Sequence, residues 1–251
     1  MRPSARGLPT SLRASTLVAL LALLALAPGC AGPSPGPRAG PTAPGSRLSP
    51  KEERLAALER ETSYEGHWQA ALLLADLSEE RARDRDERQS LARKGIEHAD
   101  QAIRRKADGV EGHYARAVCI GMLLDAERLP TLSLVPVLRD EGEHAAKLDE
   151  AYEHGGPRRL LGLLYSDAPS IGSVGDEELA ETNLRRLLEI AGDWPENHLA
   201  WAHFLLKVQG DSEGARRAAE AARKLIDTTA ELDAEQRRKL HEEADHYLAP
   251  R

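Results

Sequence analysis

Histidines, cysteines, acids and Gly-Ser turns are the residues of this 251-residue chain that could do chemistry. His241 and His246 bracket the run HEEADH, which resembles a zinc-protease motif. That motif needs two histidines four positions apart on one helix face. Five positions apart, they point about 140° away from each other on a helix, so one zinc ion cannot take both. His198 and His203 share the spacing and fail for the same reason. The run Gly172-Ser173-Val174-Gly175 is not a nucleophile elbow, which needs G-x-S-x-G between a strand and a helix. There is neither a P-loop nor a G-x-G-x-x-G, so the sequence implies no nucleotide cofactor, and no metal motif survives the spacing test. Cys119 lies in the apolar run ARAVCIGMLL and reads as a buried, inert thiol. Acids are so dense that pairs of carboxylates read as helical surface. The chain is read as non-enzymatic.

The N-terminus carries Arg2, Arg6 and Arg13, with no acid before residue 51. Leu17 to Ala27 is an apolar run of 11 residues. A membrane-spanning helix needs about 20, so the run reads as the core of a secretory signal. It ends in LAPGC, which resembles a bacterial lipobox with Cys30 as the lipid-bearing first mature residue. Residues 1–29 are then the signal peptide. Residues 30–50, rich in Gly, Pro, Ala and Ser, cannot bury a core and form a tether of roughly 25 Å as a coil. Ala31 after the cysteine, in place of an acid, favours the outer membrane, facing the periplasm.

Residues 51–251 suffice for one domain or one short repeat array. Removing the three signal arginines takes the net charge from −7 to −10. That balance excludes nucleic acid and an electrostatic membrane-binding face as partners, leaving the lipid as the contact with the membrane. With Cys30 lipidated, Cys119 has no intramolecular partner. Ala, Leu, Arg and Glu dominate, Val, Ile, Thr and aromatics are scarce, and no alternating strand pattern occurs, so the fold class is all-α.

Helices are expected over Pro50–Arg60, His67–Leu77, Leu91–Lys106, Val110–Asp125, Leu132–His154 with an interruption near Pro136, Pro157–Tyr165, Asp176–Ala191 with Asp176 as cap, Asn197–Val208, Ser212–Ile226 and Ala234–Tyr247. Short connections make neighbours antiparallel. The helix after Pro195 is apolar on two sides, with Leu199, Ala202, Leu205 and Leu206 on one and Trp201, Phe204 and Val208 on the other, as a sandwiched helix of a stacked array requires. Tyr114, Leu161 and Trp201 align as equivalent anchors, 47 and 40 residues apart. A tetratricopeptide repeat is about 34 residues, so the expected fold is a tetratricopeptide-like helical-hairpin solenoid with divergent repeats. Trp68, Trp194, Trp201, Tyr114 and Tyr165 read as core anchors of that array rather than the lining of a groove.

The stretch from Leu148 to Asp176, LDEAYEHGGPRRLLGLLYSDAPSIGSVGD, resembles the signature of the TatT family, the T component of tripartite ATP-independent periplasmic (TRAP) transporters. Matching positions include Gly155, Gly156, Pro157, Arg159, Gly162, Tyr165, Pro169 and Asp176, and the later PENHLAWAHFLL also fits. Val174 departs from the pattern, and the region before Leu91 matches weakly. The resemblance implies a lipid-anchored periplasmic accessory protein that docks a substrate-binding protein and an apolar ligand. A general adaptor lipoprotein for envelope or secretion complexes is the rival reading. Both leave homo-oligomerisation open. Turns and caps account for Gly155, Gly156, Pro157 and Asp176, and Gly162 lets a neighbouring helix approach. Arg159 is expected to pair with a buried acid such as Asp149 or to face a groove.

Overall fold

The computed structural model describes residues 48–81, 84–127, 132–170 and 172–249. The signal peptide, Cys30 and the tether up to residue 47 lie outside the described residues. Among those described there are ten helices and no strand: α1 Pro50–Leu58, α2 Tyr64–Glu80, α3 Arg85–Arg105, α4 Val110–Ala126, α5 Leu134–Leu148, α6 Tyr152–Asp167, α7 Glu177–Ala191, α8 Pro195–Lys207, α9 Ser212–Thr228 and α10 Ala234–Leu248. No described helix is long and apolar enough to cross a membrane.

The helices pair as hairpins, α2 with α3, α4 with α5, α6 with α7, and α8 with α9. The first members of the hairpins touch one another in succession, and α10 continues the row against α8 and α9. They run parallel. At their N-terminal ends the Tyr64 hydroxyl donates to Glu111 (2.7 Å) and Arg159 donates to Asn197 (2.6 Å), while at their C-terminal ends His203 donates to Asp167 (2.7 Å). This is a helical-hairpin solenoid. One continuous core runs through it from Trp68 to Tyr247, and a satellite cluster of Leu58, Ala70, Leu73 and Leu77 seats α1 on α2.

Sequence sets the two layers apart. The inner helices are apolar nearly all round: every residue from Ala70 to Ser78 of α2 is buried. The outer helices α3, α7 and α9 are narrow-striped and begin with an aspartate that accepts a backbone N–H, Asp84 from Glu87, Asp176 from Leu179 and Asp211 from Gly214. On α9 the stripe is Ala215, Ala218, Ala219 and Ala222, all buried, which brings α9 close to α8.

The structure departs from the sequence expectations at three places. Pro136 does not interrupt α5: it sits in the first turn, where no intrahelical N–H is missed, and the helix ends at Leu148 rather than His154. Helix α3 starts at Arg85, six residues before Leu91, because its charged first turns are capped by Asp84 and exposed to water. Trp201 is not the counterpart of Tyr114. Counting from the first helical residue of α2, α4 and α8 (Tyr64, Val110 and Pro195), the fifth positions are Trp68, Tyr114 and Leu199, with Leu161 keeping its place in the kinked α6. The spacings are then 114 − 68 = 46, 161 − 114 = 47 and 199 − 161 = 38. Trp201 lies two residues on, half-buried under the Arg185 guanidinium, 5.2 Å from its ring centre.

Candidate docking site at helix α6 and its turn

Helix α6 does not begin smoothly. Glu153 (φ 48°, ψ 53°), His154 (φ 54°, ψ 43°) and Gly155 (φ 79°, ψ 20°) are all left-handed, and the regular helix starts only after them. A left-handed residue with a Cβ costs about 1–2 kcal/mol, so the bend must be held from outside. Asn197 holds it: its amide donates to the His154 carbonyl (2.9 Å) and to Ala191 O (2.7 Å). The His154 ring stacks on Trp194, 3.7 Å between centres and 3° from parallel, and its Nε2 lies 3.3 Å from Glu231. Only glycine fits at 155, where a Cβ would lie 2.4 Å from Leu187 Cδ1 even before its positive φ is considered.

Inside the bend lies Arg159, 1% exposed. Its Nη1 donates to Asn197 Oδ1 (2.6 Å), and Nη2 lies 3.4 Å from Glu196 Oε2. Burial raises the affinity of Glu196 for a proton, while Arg159 and the Trp194 indole N–H (3.1 Å) work against that rise. Tyr114, whose hydroxyl burial holds in its protonated form, closes the knot from α4 with its ring edge-on to Tyr152. Arg159 therefore forms an internal pair with α8. Asp149, the acid expected from the sequence, instead accepts the Ala151 N–H (3.1 Å) in the preceding turn. Arg159 lines no groove.

The other end of α6 delivers an exposed turn. Gly162 sets the height of the helix: a Cβ there would lie 2.5 Å from Leu184 Cγ of α7. The Tyr165 hydroxyl donates to Glu143 of α5 (2.7 Å), and burial together with this carboxylate keeps it protonated. The chain then crosses to α7 through residues 168–176. Gly175 N donates to Pro169 O and Asp176 N donates to Tyr165 O, both at 3.1 Å, before Asp176 caps α7. A Cβ on Gly175 would come within 1.9 Å of Ala168 O, so only glycine closes the turn. Ser170, Gly172 and Asp176 are exposed. Helix α4 runs parallel to α6 and ends at the same edge, and Leu132, ahead of α5, is 60% exposed. Thus Arg159, Gly162, Tyr165, Pro169 and Asp176 all belong to one unit, and what they present is the turn.

Three of the four histidines with the wrong spacing for zinc have polar partners. His203 and Lys207 both donate to Asp167 Oδ1 at 2.7 Å, His198 donates to Gly192 O at 2.8 Å, and His241 lies 3.0 Å from Asp227. Among the described residues no three His, Cys, Asp or Glu side chains form a metal-holding group. Cys119 is fully buried, its Sγ is 3.3 Å from Ala71 O, and burial strongly disfavours its thiolate. Sequence reasoning missed the pairing of Arg159 with Glu196 and Asn197. A signal existed in the thrice-repeated Glu-x-His of Glu65-Gly66-His67, Glu111-Gly112-His113 and Glu196-Asn197-His198, which marks the start of α2, α4 and α8.

The sequence profile of the family described as regulator of microtubule dynamics protein 1-3 matches residues 51–132, 82 of the 251 residues. No curated protein matches the chain. Among solved structures, a thermophilic TPR protein of Thermus thermophilus is similar at 17% identity and a TM-score of 0.48, covering 77% of this chain and 98% of that one. The solenoid assignment rests on the helix order and pairing described above.

Proposed function

We propose that the protein is a non-enzymatic adaptor that docks a protein partner along the edge where the inner helices end. The observation that carries this reading is the α6–α7 turn. Buried Tyr165, with the Pro169–Gly175 and Tyr165–Asp176 backbone hydrogen bonds, fixes its base, while Ser170 and Gly172 are exposed, as is Leu132 ahead of α5. Binding residues are found disproportionately on connections whose ends are positioned by a rigid scaffold, as here. Arg159, Gly162 and Tyr165 act from beneath, as positioning residues.

The finer reading follows the resemblance of the same stretch to the TatT signature. In it the partner is the periplasmic substrate-binding protein of a TRAP-type transporter, and the chain is held at the outer membrane, facing the periplasm, by lipid on Cys30. The test is a titration of the full chain in detergent with such a binding protein from the same cell, read by calorimetry. Saturable one-to-one binding that is lost in Leu132→Asp, with the circular dichroism spectrum unchanged, supports both readings. Absence of binding removes the transporter reading. Capture from native membranes of envelope-assembly proteins whose binding Leu132→Asp abolishes would then support the adaptor alone. Cys30→Ala should move the chain from the membrane to the soluble fraction.

A further inference from the structure

The repeated Glu-x-His element is used in one way twice and in another way once. In the second and fourth hairpins the histidine fastens the preceding loop, with His113 Nε2 donating to Ala107 O and His198 Nε2 donating to Gly192 O, both six residues back and both at 2.8 Å. In the first hairpin His67 makes no such bond: its Nε2 is buried without a partner. The ring is turned instead so that Nδ1 faces Nδ1 of His98 on α3 at 3.1 Å, with ring centres 5.3 Å apart. The first-hairpin histidine is thus released from the loop-fastening role and aimed at a second imidazole.

From this geometry we infer that His67 and His98 form a two-nitrogen chelate for a borderline divalent cation of the zinc, nickel or copper class. At metal–nitrogen bonds of 2.0–2.1 Å, a 3.1 Å separation subtends about 98° at the metal, between the octahedral and tetrahedral values. With ring centres at 5.3 Å the two nitrogens point nearly at each other, so the metal-free pair shares one proton as N–H···N. A tilt of both rings, larger for the more exposed His98, turns the two lone pairs toward one point. The proton on the donor ring moves to its Nε2, so the neutral pair binds the ion without losing a proton. Burial holds both rings below the ordinary histidine range, so both are neutral at pH 7. The charged groups acting on the pair are Arg104 and Arg105 on His67, and Glu59 and Glu97 on His98. Since no third His, Cys, Asp or Glu side chain converges on the point among the described residues, water fills the remaining positions. The bound ion would staple α2 to α3 in the hairpin next to the N-terminal segment. This inference is independent of the adaptor reading.

The test is thermal unfolding of the full chain, without a histidine tag, against increasing zinc or nickel chloride. The expected result is a saturable rise in Tm of roughly 5–10 °C at a hundredfold excess over Kd. The rise should disappear in His98→Gln and persist in His246→Gln, which alters an exposed histidine. No rise in the parent chain, or a rise that survives in His98→Gln, overturns the inference. Should His98→Gln not fold, imidazole nitrogen resonances of the parent chain decide: zinc must shift those of His67 and His98, and shifts confined to other histidines overturn it.

Discussion

At the scale of single residues, the molecule concentrates its most demanding contacts on Arg159. A guanidinium removed from water is held by Asn197, Glu196 and the strained backbone of His154. Removing one partner of such a pair leaves the other charge buried and typically costs about 3–5 kcal/mol, whereas replacing both by apolar groups of similar size is often nearly neutral. Arg159→Met should therefore lower the urea-unfolding free energy by about that much, and Arg159→Met with Glu196→Leu should recover most of it. Equal destabilisation in the single and double variants would show that Glu196 is not the counter-charge. Gly162 makes a different demand. The α6–α7 gap admits no Cβ without displacing Leu184, so Gly162→Ala should cost about 1–3 kcal/mol by the same measurement. A neutral outcome would mean that Leu184 has an alternative rotamer and that the helix height is not fixed there.

At the scale of elements, the first two hairpins carry histidines with opposite pH dependence. Burial lowers the pKa of His67 and His98 below the ordinary 6.5, so their contribution is present above 6.5 and is lost as pH falls toward the folded values. His113 is the reverse. Both of its nitrogens donate, to Glu141 (2.6 Å) and to Ala107 O, and the Glu141 bond raises its pKa against the pull of burial. Its contribution is complete below 6.5 and fades as pH rises through the folded value. Urea midpoints at pH 7.5 and 5.5 separate the two. Against the parent, His98→Gln should narrow the difference in stability in favour of pH 7.5, and His113→Gln should widen it. Changes of the same sign in both variants would rule out this division of roles. Neither role was legible in the sequence, where His67 and His113 occupy the same place in matching motifs. What distinguishes them is the residue across the hairpin, His98 in one and Glu141 in the other, and single-helix periodicity does not reveal that register. The helices themselves were legible, because their apolar stripes and aspartate caps are local. Asp176 is an example, capping α7 as its position before Glu177 and Glu178 suggested. The start of helix α3 and the bend at the head of α6 were not: the first is extended by a charged run that needs no core, and the second is imposed by Asn197 and Trp194, about 40 residues further along the chain.

At the scale of the whole molecule, the question is whether the hairpins behave as separable repeats or as one body. A stack whose units touch only their neighbours unfolds in pieces when its interfaces are uneven. Here each of the three interfaces between hairpins is bridged by polar or aromatic side chains as well as by the core. Tyr64 reaches Glu111, Tyr114 reaches the α6 knot, Arg159 reaches Asn197, and Asp167 reaches His203 and Lys207. The larger core is continuous from the first hairpin to α10. Cooperative unfolding of all four hairpins follows, and the tryptophans report it, since Trp68 lies in α2 whereas Trp194 and Trp201 lie at and within α8. A variant retaining only Trp68 and a variant retaining only Trp201 should show coincident fluorescence transitions in urea, matching the loss of helical circular dichroism. An earlier midpoint for Trp68 would mean that the first hairpin melts independently, leaving the α6–α7 turn on a folded remainder. Coincident midpoints would mean that a substitution anywhere in the stack, including the Arg159 knot far from the exposed edge, lowers partner binding by unfolding the whole scaffold. Binding assays on such variants therefore need to be read at temperatures where the fold is intact.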